Sequence, residues 1–156
     1  MKTKITINGI TKEIELTPGQ AAQFEKSKVW KPQIGEHYYY VDNDGSVGQS
    51  RWDDDGFDNA RYALGIVAKT EEECEFIHKK MIVTKQLQDY ADEHNGTDRL
   101  AVYHIGWDFD DEKVIVRSYF GYKFVGVTFS RGEIALAAVE AIGEKNVKKY
   151  YLGVED

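Results

Sequence analysis

The stretch KTEEECEFIHKKMIVTKQLQDYADEHNG, residues 69–96, constrains this chain more than any other, because its punctuation and period together define one long amphipathic helix. Thr70 and Glu73 match a capping box, in which each side chain satisfies a backbone N–H left without a partner at the helix start. Acids crowd the first turn, where the helix dipole favours negative charge. Phe76, Val83, Leu87 and Tyr90 fall on one face, which Ile77 and Met81 widen. Asn95-Gly96 supplies the stop.

The segments on either side are short, and turn residues bound them. KITINGITKEIEL reads as a hairpin: Asn8-Gly9 gives the positive φ angles of a tight turn, and Ile5, Ile7, Ile10 and Ile14 lie in its arms. Thr17 as N-cap and Pro18 at the first helical position predict a short helix after it. Pro32 and Gly35 interrupt VWKPQIGE, which reads as a linker. The organisation expected is an N-terminal hairpin plus short helix over 1–30 and a main α+β domain over 31–156, a single compact unit overall.

EHYYYVDNDGSVGQSRW reads as a second hairpin turning at Asp42-Asn43-Asp44-Gly45. From Phe57 the chain becomes helical, with Tyr62 and Leu64 expected under the core and Gly65 ending the turn. RLAVYHIGWDFDDEKVIVRSYFGYKFVGVTFS supplies two or three antiparallel strands, the first turn lying at Asp108 to Glu112. Ser130 to Glu133 matches a second capping box, and Ile134, Ala137, Ala138, Ala141 and Ile142 keep helical spacing behind it. Gly143 breaks that helix, and KNVKKYY gives a last short turn. Strands grouped with helices, without βαβ alternation, define the class as α+β. An antiparallel sheet built from hairpins is expected, packed against one long and two or three shorter helices.

The net charge of −7 is local: residues 36–58 hold seven acids (Glu36, Asp42, Asp44, Asp53, Asp54, Asp55, Asp58) against one base, Arg51. So focused a field repels phosphate backbones and attracts basic surfaces or cations. Lys145, Lys148 and Lys149 sit together near the C-terminus, but lysines at a helix end also answer the helix dipole. Without a basic stripe or interleaved aromatics, direct nucleic-acid binding is not expected. No run approaches the roughly 18 apolar residues of a membrane helix, and MKTKITINGI lacks the apolar core of a signal peptide. The single cysteine, Cys74, fits a reducing compartment, so a cytoplasmic protein is expected.

Asp42-Asn43-Asp44-Gly45 resembles the opening of a calcium loop, but the further Asp or Asn before the glycine and the Glu at position 12 are missing. The same residues make a good hairpin turn. Asp53, Asp54, Asp55 and Asp58 are a stronger cation candidate, since clustered carboxylates repel unless a cation or basic partner neutralises them. A solvated loop needs no ligand, and both readings stand at this stage. Cys74 and His78 share a helix face, yet two ligands do not make a site, and a small buried thiol beside a boundary histidine accounts for them. Asp111-Glu112-Lys113 is an ordinary charged turn, and no G-x-S-x-G, P-loop, Rossmann glycine pattern or H-E-x-x-H occurs. No catalytic residue is expected.

Four segments carry a resemblance: KPQIGEHYYYVDNDG, RWDDDGFDNARYALG, KTEEECE and AIGEKNVKKYYLGVED. Over most of its length the chain resembles a group of small proteins from phages, prophages and mobile elements of Gram-positive bacteria, a group of no established activity. The matching positions are Lys31, Pro32, Gly35, Tyr38 to Tyr40, Trp52, Asp55, Asp58, Arg61, Tyr62, Gly65, Lys69, Thr70, Glu73, Lys149, Tyr150 and Tyr151. Ile66 and Ala68 stand where the group usually shows Asn and Phe, and Cys74 where Ala is usual. The resemblance implies a biological setting and mostly structural motifs, with Arg61 pairing Asp55 or Asp58.

In that setting, acidic phage accessory proteins that block host machines offer an analogy, and CRISPR effector nucleases present large basic channels to such inhibitors. The function expected is a non-enzymatic binding protein that inhibits a host defence nuclease, anti-CRISPR-like. Its partner surface would comprise Asp42, Asp44, Trp52, Asp53, Asp54, Asp55 and Asp58. The alternative is a divalent-cation site on the aspartate cluster with hydrolase chemistry; no other cofactor is expected.

Overall fold

The computed structural model describes residues 2–7, 10–15, 17–19, 29–97, 101–120 and 126–155. The chain divides into two compact units, residues 1–33 and 34–156, so the boundary falls a few residues beyond the expected linker start. In the first unit, β1 (Lys2–Ile7) pairs antiparallel with β2 (Ile10–Glu15), Ile7 opposite Ile10, as a two-residue hairpin connection requires. The connecting Asn8-Gly9 lies outside the described residues. Pro18 and Gly19 are helical, and the rest of the short helix expected there also lies outside them.

The second unit is α+β. In chain order it runs β3 (His37–Val41), β4 (Val47–Arg51), α1 (Gly56–Ala63), β5 (Val67–Ala68), α2 (Glu71–His94), β6 (Val102–Asp108), β7 (Lys113–Tyr119), α3 (Gly132–Ile142), α4 (Glu144–Asn146) and a π-helical turn, Val147–Tyr151. β3 is central in an antiparallel sheet of order β4-β3-β5, and β6 and β7 form a separate hairpin. No helix among the described residues is long and apolar enough to cross a membrane.

At 24 residues α2 is roughly 36 Å long, and its two halves serve two cores. The N-terminal half lays Cys74 and Ile77 against Val41, Val47 and Ala68 of the three-stranded sheet. The C-terminal half buries Val83, Leu87 and Ala91 among Ile105, Val127, Phe129, Ala135, Ala138, Val139 and Val147. The helix begins with the expected capping box: Thr70 Oγ1 accepts from Glu73 N, and Glu73 Oε2 accepts from Thr70 N. Burial pushes the Cys74 thiol pKa up, with Glu75 adding to the shift, as befits a packed side chain.

Three expectations need correction. Leu64 is 74% exposed and Met81 about half exposed, so neither sits under the core. The Ser130–Glu133 box does not form: α3 starts after Arg131 without a side-chain cap. Ser130 is used elsewhere, its Oγ accepting from Gly96 N and its N donating to Asn95 Oδ1, which ties the end of α2 to the approach of α3. The expected face of α3 packs in part, with Ala138 buried and Ile134 and Ile142 against the core, but Ala141 is exposed and Ala135 and Val139 complete the buried stripe instead.

Candidate functional site

α1 is built around a carboxylate. Asp55 is its N-cap, accepting from Asp58 N at 2.8 Å. Asp54 just before it takes a left-handed φ of 60°, a conformation Asp tolerates better than most residues. Asn59 Nδ2 donates to the carbonyls of Asp54 and Asp55, which closes the loop on the first helical turn.

Asp58 points inward and is only 3% exposed. A buried carboxylate is tolerated when its oxygens are hydrogen-bonded. Tyr38 Oη donates to Asp58 Oδ1 at 2.6 Å, and Asp53 N donates to Oδ2 at 2.7 Å. Burial alone would raise the Asp58 pKa, but the Tyr38 hydroxyl and the amides of Asp53, Asp54 and Asp55 outweigh it and hold the carboxyl below its usual range. The Tyr38 phenol moves up, through burial first and then the hydrogen bond to Asp58.

Arg61, one helical turn from Asp58, completes the cluster. Its Nη1 donates to Tyr38 Oη at 3.0 Å, so the tyrosine hydroxyl bridges guanidinium and carboxylate. The guanidinium also stacks 3.5 Å from the centroid of the Tyr40 ring. That ring lies against Gly48 on the neighbouring strand, where a Cβ would come within 2.6 Å of Tyr40 Cζ. Trp52 packs edge-on against Tyr38 at 5.6 Å and Tyr62 at 6.1 Å.

The consequence is a helix turned inside out. Asp58 is buried and Arg61 and Tyr62 are half-buried, whereas Phe57 is 77% exposed and Leu64, Ala60 and Ala63 also face outward. Phe57, Ala60 and Leu64 are spaced i, i+3, i+7 and form one outer stripe. Leu64 also lines an open groove of about 660 Å³ with Gly65, Ile77, Met81 and Thr84, and Lys80, Lys85 and Gln88 border it.

The expected site residues therefore separate. Asp53, Asp54 and Asp55 are exposed at the start of α1. Asp42 and Asp44 are exposed in the turn at the other end of the β3–β4 hairpin, roughly 17 Å away along the strands. There Asp42 Oδ1 accepts from Asn43 N, and Asp44 Oδ1 accepts from Ser46 N and Oγ, which lowers the Asp44 pKa. Gly45 of that turn lies against His78 of α2. Trp52 and Asp58 are corrections: both are buried, Trp52 by ring packing and Asp58 by its hydrogen bonds, so neither offers a contact to a partner.

Phe57 is an exposed aromatic on α1 that the sequence pattern did not flag; Phe109 and Phe120, elsewhere in the chain, are exposed as well. The signal for Phe57 was available as an apolar i, i+7 pair with Leu64, spanning a helix whose polar residues carry the cluster. Among the described residues no group of three or more His, Cys, Asp or Glu side chains could hold a metal ion. Asp55 serves as a helix cap, Asp44 as a turn former and Asp58 as a buried acceptor. Arg61 reaches Asp58 through Tyr38, which refines the expected pairing. No family model, curated protein or solved structure matches this chain.

Proposed function

We propose that this protein is a non-enzymatic binding protein that recognises a basic protein surface with the outer face of α1 and the aspartates ahead of it. The observation that carries the reading is the inversion of α1. A helix that buries Asp58 and presents Phe57 and Leu64 to solvent exposes the apolar surface that folding would ordinarily cover. Exposed carboxylates at Asp53, Asp54 and Asp55 border the Phe57 end. An aromatic anchor rimmed by one sign of charge suits protein recognition, the ring contributing affinity and the charge steering encounter.

In its specific form the partner is a host defence nuclease with a basic nucleic-acid channel, and the setting is a phage or prophage protein in the cytoplasm of the bacterial cell. The resemblance of RWDDDGFDNARYALG and its neighbouring segments to phage proteins supports that setting, and the acidity of residues 36–58 supports the choice of partner. The test is affinity capture from a bacterial lysate at low and moderate salt, comparing the protein with an Asp53→Asn, Phe57→Ser variant. A nuclease complex recovered at low salt, reduced at moderate salt and lost with the variant is expected. Equal recovery by the variant removes α1 from the interface.

A further inference from the structure

We propose that the outer face of α1, with the groove that continues it onto α2, is a two-fold interface between two copies of this chain in the free protein. The inference uses the face assigned above to recognition and goes beyond it, since it needs no host component. The argument is charge complementarity along one apolar band. The stripe of Phe57, Ala60 and Leu64 passes into the groove lined by Ile77 and Met81, because Leu64 belongs to both. Asp53, Asp54 and Asp55 stand at the Phe57 end. Lys80 supplies the positive charge at the Met81 end, since Lys85 beside it is already paired with Asp89 along its own helix.

A band that is acidic at one end, apolar along its length and basic at the other is complementary to itself when a second copy is laid antiparallel about a two-fold axis. Phe57 of each copy then meets Leu64 and Met81 of the other, and Asp53 of each faces Lys80 of the other. A basic partner engages the α1 face and its acidic end alone, whereas a second copy also engages the groove and Lys80 on α2. The exposed alanines Ala60 and Ala63 leave the centre of the band open to close helix approach. Self-association and target binding then compete for one face, so the dimer is the resting form and a target releases it.

Sedimentation velocity on the purified full chain over a wide dilution series tests this. A concentration-dependent shift from one to two chains is expected, and Phe57→Asp should abolish it while leaving the far-ultraviolet circular dichroism unchanged. Asp53→Lys and Lys80→Asp should each weaken self-association by roughly tenfold, through like charges facing across the axis, and the double variant should restore it. A protein monomeric throughout, a dimer insensitive to Phe57→Asp, open-ended polymerisation, or no restoration in the double variant each overturns the proposal. Because no host component is present, such a failure leaves recognition of a host protein to be judged by its own capture experiment.

Discussion

The 2.6 Å hydrogen bond from Tyr38 Oη to the buried carboxylate of Asp58 joins the central strand of the sheet to the inner side of α1. The same hydroxyl accepts from Arg61, so removing it disturbs a carboxylate and a guanidinium together. Tyr38→Phe keeps the ring packing against Trp52 while deleting that oxygen. A loss of about 1–3 kcal/mol in urea unfolding is expected, the cost of leaving buried charged partners short of a hydrogen bond. Unchanged stability would show that α1 does not depend on this bond.

Asp58 also makes a pH prediction. Its folded pKa lies below the unfolded value, so the unfolded chain binds the proton first as pH falls. The stability it contributes is fully present above the unfolded value of about 4 and is lost as pH falls through the folded value. Asp44 and Asp108 are lowered too, so the comparison must isolate Asp58. The gap in urea midpoint between the native protein and Asp58→Asn should narrow on going from neutral pH to about pH 3. A constant gap assigns the acid dependence to other groups.

Two glycines should respond in opposite ways to one added methyl group. Gly48→Ala places a Cβ 2.6 Å from the Tyr40 ring that Arg61 stacks on, and a loss of about 1–3 kcal/mol is expected. Gly56, at the start of α1, has nothing within 4 Å of such a Cβ, and Gly56→Ala should be neutral or stabilising by up to about 1 kcal/mol. Thermal unfolding of the two variants in parallel decides it, and similar effects would refute the packing of Tyr40 on Gly48.

Apolar residues on the two helices should also differ in what they do for stability. Measured at dilutions where the chain is monomeric, Phe57→Ser and Leu64→Ser remove exposed side chains and should change unfolding free energy by no more than about 0.5 kcal/mol. Leu87→Ala empties a fully buried position on α2 and should cost about 2–5 kcal/mol. A large loss from Phe57→Ser would mean that the ring is a core residue and that the recognition face is misassigned.

Local signals made much of the fold legible. The Thr70–Glu73 box, the stop at Asn95, the Asp42–Gly45 turn and the break at Gly143 each depend on atoms within a few residues, and each appears in the structure. The same kind of signal failed at Ser130, because a residue far off in sequence, Gly96, engages the hydroxyl that would have capped α3. Side-chain pattern alone also put Ala141 on the covered face of α3 and left out Ala135 and Val139, since Val127, Phe129 and α2 determine which residues are covered.

The candidate site shows the same division most sharply. The residues of 51–65 were enough to place an acidic loop followed by a helix, with negative charge concentrated there. That Asp58 and Arg61 turn inward while Phe57 and Leu64 turn out depends on residues distant in the chain. Tyr38, Tyr40 and Gly48 meet the helix from strands about twenty residues earlier or closer, and their hydroxyl, ring face and missing side chain build the one environment in which α1 can bury its charged side. Hydrophobic periodicity assumes that apolar groups gain most by burial. Here a hydrogen-bonded carboxylate and a stacked guanidinium hold the inner face, and the apolar stripe is left facing solvent.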